Sequence, residues 1–231
     1  MIVITIAGES KRFFDHGYKT VKYKLKLSNS KSILWNILFY IDVNEKLIIV
    51  ANKKFNDFLW IKSLLISMSF KNFEIVEIES TNGQLTSAVI GISNSKFYDR
   101  NTAKEQLIIF NGDTIRKLPF SINIFNYSGM LEVFVKYGSH WSFVDNLGEV
   151  NEVREKERIS KYCSTGLYIF SSIKLFMDYS KKSKFEKNEK FIAPLYNELI
   201  KDNLKVFSFL SDSSFFNLCG TPEEYIRNYE I

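Results

Sequence analysis

Cysteine is almost absent: Cys163 and Cys219 are the only two in 231 residues, and their spacing fits no metal motif. Both read as small core residues rather than nucleophiles, and a reducing cytoplasm is the simplest setting. Histidine is as scarce, with His16 and His140 alone, so no Ser/His/Asp or Cys/His triad can be built from spacing. His16 reads as an exposed loop residue and His140, beside Trp141, as a packing or surface residue, with a ligand contact the alternative for each. No apolar run is long enough to span a bilayer; the longest, Ile33 to Ile41, is broken by polar residues. The chain opens directly on a strand pattern, which predicts no export signal. Charge of one sign is not dominant either, since 31 Lys and Arg against 26 Asp and Glu leave a net +5. The densest lysine run is Lys181, Lys182, Lys184, Lys187 and Lys190, and it reads as a solvated loop and helix edge. Without an arginine-rich helix or an RNP-like aromatic strand, nucleic acid is not an expected partner.

What is present is a sequence of 45% hydrophobic and 25% charged residues, enough for a sizeable core in one large or two small domains. Ile2 to Ile6 is a β-branched run, the pattern of a strand buried on both faces. It stops at Ala7-Gly8-Glu9-Ser10, small residues that permit a tight turn and close approach to the amides, and the cations Arg12 and Lys22 follow. Strand, turn and cations together make a phosphate cradle, although a strand-turn with ordinary surface cations would use the same residues.

Helical and strand spacing then alternate. Ser32 to Ile41 reads as a helix, Leu47 to Ala51 as a strand, and Phe55 to Phe70 as a helix with Phe58, Leu59 and Leu65 inward. Phe73 to Ile78 is a third strand, Leu85 to Ile92 a helix after Thr81-Asn82-Gly83-Gln84, and Leu107 to Phe110 a fourth strand ending at Asn111-Gly112-Asp113-Thr114. This alternation predicts a parallel sheet with helices on both faces. After Asp113 the pattern becomes more antiparallel, with strands at Met130 to Tyr137, Trp141 to Asp145, Gly148 to Val153 and Thr165 to Phe170. Helices are expected at Ile173 to Tyr179, Phe191 to Ile200 and Pro222 to Tyr229, and a late strand at Lys205 to Leu210. No linker divides the chain, so one α/β domain with an inserted antiparallel region is expected, its pattern changing between residues 1–114 and 115–231.

In an open α/β sheet, ligands bind beyond the carboxyl ends of the strands, where the loops at Ala7 to Arg12, Thr81 to Thr86 and Asn111 to Thr114 all fall. The first offers amides and cations. The second offers Gly83 and the Gln84 amide, which both donates and accepts. The third places Asp113 where a Mg²⁺ on phosphate oxygens is expected. Taken singly, Asp113 also reads as a turn or N-cap residue and Gln84 as a surface helix residue.

The ordered set Ala7-Gly8-x-Ser10-x-Arg12, Lys22, Gly83-Gln84, Gly112-Asp113, Glu155-Lys156, Gly166-Leu167-Tyr168-Ile169-Phe170 and Gly220-Thr221-Pro222-Glu223-Glu224-Tyr225 resembles the sugar-phosphate nucleotidyltransferases, or nucleoside-diphosphate-sugar pyrophosphorylases. The strings Asn111-Gly112-Asp113-Thr114, Cys163-Ser164-Thr165-Gly166-Leu167-Tyr168 and Ile192-Ala193-Pro194-Leu195-Tyr196-Asn197 are similar to a branch found in capsule and surface-polysaccharide synthesis. The resemblance spans nearly the whole chain. It implies a Rossmann-like, mainly parallel mixed sheet with an inserted antiparallel region, a GT-A-like fold. It implies a nucleoside triphosphate and a phosphorylated small molecule as partners, with homo-oligomer formation left open, and Mg²⁺ as cofactor. Arg12 would face the departing β- and γ-phosphates, Lys22 the α-phosphate, and Asp113 the metal. Ala7, Gly8, Ser10 and Gly112 would line the nucleotide, Gly83 and Gln84 would read the base, and Glu155, Lys156 and Gly166 would meet the acceptor.

Two departures stand out. Val21 precedes Lys22 where the family has Pro, and Leu218 stands where many members carry a second metal-binding Asp. Asn217 or Asp212 replaces it, or water does, or the nucleotide and Asp113 hold the metal, or the site has lost activity. Glu9 and Lys11 occupy positions often small elsewhere, and Glu9 would repel a triphosphate unless it points away. Alternatives to the sugar-phosphate reading are a CTP-dependent enzyme acting on a non-sugar phosphate such as phosphocholine, a glycosyltransferase, and a catalytically silent nucleotide-binding relative.

Overall fold

The computed structural model describes residues 1–124, 126–183 and 189–230. In chain order their elements are β1 (Ile2–Ile6), α1 (Lys11–Asp15), α2 (Ile33–Leu38), β2 (Leu47–Asn52), α3 (Phe58–Ser67), β3 (Phe73–Ile78), α4 (Gln84–Ser93), β4 (Leu107–Asn111) and β5 (Thr114–Arg116). There follow β6 (Gly129–Val135), β7 (Ser142–Val144), β8 (Gly148–Glu149), β9 (Val153–Glu155), β10 (Tyr162–Phe170), α5 (Ile173–Ser180), α6 (Leu195–Lys201), β11 (Val206–Leu210), β12 (Phe216–Leu218) and α7 (Pro222–Arg227).

The main sheet runs β3-β2-β1-β4-β10-β6-β11-β8, with β7 and β9 attached beside β10. Strands β3, β2, β1 and β4 are mutually parallel, and β10 enters antiparallel to both β4 and β6. The β-branched runs go where they do because both faces are covered. Ile2, Ile4, Leu47, Ile49, Ile108 and Phe110 feed one core, and Val3, Ile48, Val50, Leu107 and Ile109 feed the other. Helices α2 and α3 pack on the first face, and α4, α5 and α6 on the second. The expected mixed, mainly parallel sheet with helices on both faces is therefore the observed one. No helix among the described residues is long and apolar enough to cross a membrane.

Several local readings change. Helix α3 starts at Phe58, after Asn56 adopts the left-handed conformation, so Ile61 and Leu65 face the sheet while Leu59 stands 75% exposed and Phe58 lies half-open. The single strand expected at Gly148 to Val153 is two strands: Asp145 accepts hydrogen bonds from the Asn151 amide and side chain, which turns the chain between them. Helix α6 begins only after Pro194, whose ring disfavours helical backbone in the residue before it. The two-stranded pair β5–β12 was not legible in the spacing. Lys184 and Lys187 of the lysine run lie outside the described residues; Lys181 pairs with Asp178 and Lys182 with Asp202. Cys163 and Cys219 are buried free thiols, as expected.

Candidate functional site

The loops that follow β1, β3 and β4 open into one cavity of about 740 Å³. That volume suits a ligand of cofactor size.

The first loop is held from behind. Asn52, fully buried, donates to the Ala7 carbonyl (3.1 Å) and to Ser80 Oγ (3.0 Å). Ser80 in turn donates to Glu9 Oε1 (3.0 Å), and Lys54 Nζ lies 3.9 Å from the same oxygen. Glu9 is thus engaged by Ser80 and Lys54, which partly offsets its charge on the cavity wall. Ser10 takes left-handed backbone (φ 54°), its carbonyl accepts from the Phe13 and Phe14 amides, and its Oγ accepts from the Lys22 amide (3.1 Å). Gly8 is different: a Cβ added there would meet nothing within 4 Å. Neither packing nor a positive φ demands this glycine, so what it leaves is open space on the cavity wall. Arg12 stands exposed on α1 and forms no ion pair among the described residues. Beneath it Phe13 packs edge-on against Tyr18 (5.3 Å) and Tyr225 (6.2 Å), tying α1 to α7. His16 is exposed, 3.6 Å from Glu223.

At the end of β4, Gly112 packs so tightly on β1 that a Cβ would come within 2.4 Å of Ile6 Cγ2. Asp113 then projects into the cavity and accepts a hydrogen bond from Lys22 Nζ at 2.6 Å. Its carbonyl accepts from the Cys219 amide (2.7 Å), so the β5–β12 pair locks the backbone on which this carboxylate sits. Leu218 lines the cavity; Asn217 and Asp212 do not. Asp212 caps the short turn before β12 through the Ser214 amide.

On the loop between β3 and α4, Gly83 (φ 106°) lies against Lys190, whose carbonyl a Cβ would approach to 2.4 Å, so only glycine fits. Gln84 Nε2 donates twice, to Thr5 Oγ1 (2.9 Å) and Asn111 Oδ1 (2.6 Å). Both hydrogens of this amide serve the protein, leaving Oε1 as its remaining polar atom.

The opposite wall comes from β7, β9 and β10. Glu155 lines the cavity and accepts a hydrogen bond from Ser142. Lys156 does not line it; its ammonium sits over the Phe191 ring at 4.4 Å and 3.9 Å from Glu155. Gly166 (φ 88°) occupies an irregularity in the β10–β6 register, and the space its Cβ would fill belongs to Asn111. Spacing did not single out Tyr168, Trp141 or Asn111 as site residues, yet all three border the cavity, as does His140, its ring tilted against Trp141 at 4.4 Å. Burial, and then the Glu155 carboxylate, push the Tyr168 phenol up to about 12, so it stays a neutral donor near pH 7.

Among the described residues no three His, Cys, Asp or Glu side chains converge. Mg²⁺ needs no such cluster, since it keeps water and phosphate oxygens around one or two carboxylates. Asp113 is the residue placed to supply one.

No protein-family model matches the sequence, and no curated protein does. Solved structures match throughout the chain. It is similar to the nucleoside-diphosphate-sugar pyrophosphorylase from Vibrio cholerae RC9, with 28% identity, 99% of each chain covered and a TM-score of 0.88. It shares its fold with a candidate glucose-1-phosphate thymidylyltransferase from Bacillus anthracis (15% identity, 99% of this chain and 93% of that one, TM-score 0.77). The same holds for the inositol-1-phosphate CTP transferase from T. maritima (13% identity, 96% and 90%, TM-score 0.74). Over its whole length the chain is thus similar to a solved nucleoside-diphosphate-sugar pyrophosphorylase, in keeping with the motif order from Gly8 to Tyr225 that resembles the sugar-phosphate nucleotidyltransferases.

Proposed function

We propose that this protein joins a nucleoside triphosphate to a sugar 1-phosphate, releasing pyrophosphate. One observation carries the reading: Lys22 and Asp113, distant in sequence, meet at 2.6 Å inside the cavity that also contains the open turn at Gly8. A phosphate oxygen of the acceptor attacks the α-phosphorus, the bond from that phosphorus to the bridging oxygen breaks, and the electron pair leaves with pyrophosphate. The attacking phosphate is already ionised near neutral pH, its second pKa being about 6, so no general base is required. The protein's task is positioning and charge neutralisation.

Lys22 neutralises the α-phosphate and Arg12 the departing β- and γ-phosphates. The Ala7–Ser10 turn and Gly112 line the nucleotide. Glu155 accepts hydroxyl hydrogens from the acceptor, with the Lys156 ammonium behind it over the Phe191 ring, and Gly166 keeps the floor open. Mg²⁺, when bound through Asp113, supplies positive charge to phosphate oxygens. Leu218 removes the second carboxylate of this position, and neither Asn217 nor Asp212 is positioned to replace it, so Asp113 is the protein's one carboxylate ligand in this reading. We further read the chain as one domain acting in the cytoplasm, where its buried free thiols stay reduced, and its product as a donor for capsule or surface glycan synthesis.

The direct test supplies each of the four nucleoside triphosphates, Mg²⁺ and a panel of phosphorylated acceptors, and measures pyrophosphate. Release with one triphosphate and one sugar 1-phosphate is the expected result, and no release from any pair overturns the reading. Inositol and choline phosphates with CTP belong in the panel, because the T. maritima structure of the same fold is described as an inositol-1-phosphate CTP transferase.

Two variants probe the phosphate end. Lys22→Ala should lower kcat/KM by about 10²–10³-fold, while stability changes by no more than about 1 kcal/mol for a partly exposed pair. A variant that is merely unstable, with normal turnover per folded molecule, would make this lysine structural. Gly8→Ala meets no atom, so its stability should stay within about 0.5 kcal/mol of wild type. Its KM for the triphosphate should rise about tenfold, the cost of a methyl group in a fitted pocket. An unchanged KM would place the nucleotide elsewhere.

A further inference from the structure

Asn111 joins the two halves of the cavity through one carboxamide. On one side its Oδ1 accepts from Gln84 Nε2 at 2.6 Å, and Thr5 Oγ1 takes the second hydrogen of that amide at 2.9 Å. On the other side its Nδ2 lies against Gly166 on β10, where an added Cβ would come within 2.2 Å of it. Thr5 and Asn111 are neighbours across the parallel β1–β4 ladder, so two adjacent strand ends hold the Gln84 amide. Among the described residues Asn111 Nδ2 donates to no protein acceptor, and no buried side-chain nitrogen or oxygen lacks a partner, so Nδ2 is open to the cavity it borders. A carboxamide with its acceptor committed and its donor facing a ligand space is built to do two things.

We propose that Asn111 sets base discrimination through Oδ1 and contacts the phosphorylated acceptor through Nδ2. By holding Gln84 Nε2 it fixes the glutamine with Oε1 toward the base, so that the site rewards an N–H on the base edge. By pointing its own N–H groups toward the Gly166 side it donates to an acceptor oxygen. Asn111 is thus a positioning residue for the base and a binding residue for the acceptor. This rests on the nucleotidyl-transfer reading above.

Two substitutions separate the roles. Asn111→Asp keeps an oxygen for Gln84 but replaces the donor with a second oxygen, whereas Asn111→Ala removes both. Binding of each of the four nucleoside triphosphates is titrated first, without turnover, on wild type and both variants, with thermal melting as the check on folding. In Asn111→Ala the ratio of Kd values between the disfavoured and favoured base should shrink about tenfold, the worth of one well-placed hydrogen bond. In Asn111→Asp that ratio should hold within about twofold even if all four bind more weakly, because added negative charge repels every triphosphate alike. Acceptor KM should rise about tenfold in both variants.

The outcomes are distinct. If wild type binds no triphosphate, the functional reading falls and this proposal with it. If wild type binds and discriminates but Asn111→Ala keeps the same ratio, only the base-positioning role is overturned. If the acceptor KM of Asn111→Asp equals that of wild type, the donor role is overturned. If either variant melts far below wild type, Asn111→Ser, which restores a hydroxyl that both donates and accepts, should recover part of the base ratio when the proposal holds and none when it does not.

Discussion

Exchanging Asp113 for Asn is expected to cut pyrophosphate release at least about 10²–10³-fold while leaving the fold in place. The substitution keeps shape and removes charge. The side chain's protein partner is Lys22 at 2.6 Å, and the backbone bond from the Cys219 amide to the Asp113 carbonyl does not involve the carboxylate. Melting should therefore shift only slightly, as for other partly exposed ion pairs. Two functions are lost together: a carboxylate able to hold a cation on the phosphates, and the counter-charge that keeps the Lys22 ammonium aimed at this spot. Triphosphate binding should persist, since Arg12, the Ala7–Ser10 turn and Gln84 are untouched. Turnover within about threefold of wild type, at equal folded fraction, would remove Asp113 from the chemistry.

Glu132→Ala should be the most destabilising single change, at about 3–5 kcal/mol, because it strands a buried guanidinium. Glu132 is fully buried on β6, and Arg116 on β5 is nearly so. Their bond is bidentate, Nε to Oε2 and Nη2 to Oε1, each at 2.8 Å. Thr165 and Ser211 donate to the same carboxylate, at 3.0 and 2.7 Å, and Arg116 also donates to the carbonyls of Leu118 and Pro119. Every polar atom is satisfied, so removing the carboxylate leaves one charge and two hydroxyls unpaired. Against a total stability of about 5–15 kcal/mol, that loss is large. Urea denaturation measures it. The double replacement Arg116→Met with Glu132→Leu should cost less than Glu132→Ala alone, since the expense lies in the orphaned charge rather than in the lost pair. A Glu132→Ala loss under about 1 kcal/mol would mean that water reaches Arg116 after all.

This pair also marks a limit of reading by spacing. In Met130-Leu131-Glu132-Val133-Phe134 the glutamate is the one charged residue of an apolar run, and charge alone would set it toward solvent. Its burial depends on β10, β11 and β5 arriving around it, which is information spread over nearly a hundred residues. Leu59 failed in the opposite sense: an apolar residue in a helical stretch looks inward, but the start of α3 sets the face, and that start depends on one left-handed residue, Asn56. The site was more legible. Arg12, Lys22, Asp113, Gly83, Gln84, Glu155 and Gly166, picked from turns at strand ends and from motif order, all border one cavity. Lys156 and Asn217 do not: Lys156 turns into left-handed backbone (φ 55°) just past β9, and Asn217 alternates with Leu218 along β12. The glycines divide on the same ground. Gly8 faces open space, whereas Gly83 and Gly166 are needed where other parts of the protein press on them.

By itself, the order of residues determined the alternation of buried β-branched strands with amphipathic helices, the small-residue turns at the strand ends, and the sequence in which cations and carboxylate appear. Those are local properties, set by side-chain shape and by periods of two and 3.6 residues. Tertiary structure alone decided that Lys22 would rest on Asp113, that Glu132 would find Arg116, and that Asn111 would span from Gln84 to Gly166. Each of those contacts joins segments brought together by sheet pairing, and pairing is chosen by how the whole set of apolar faces is buried at once.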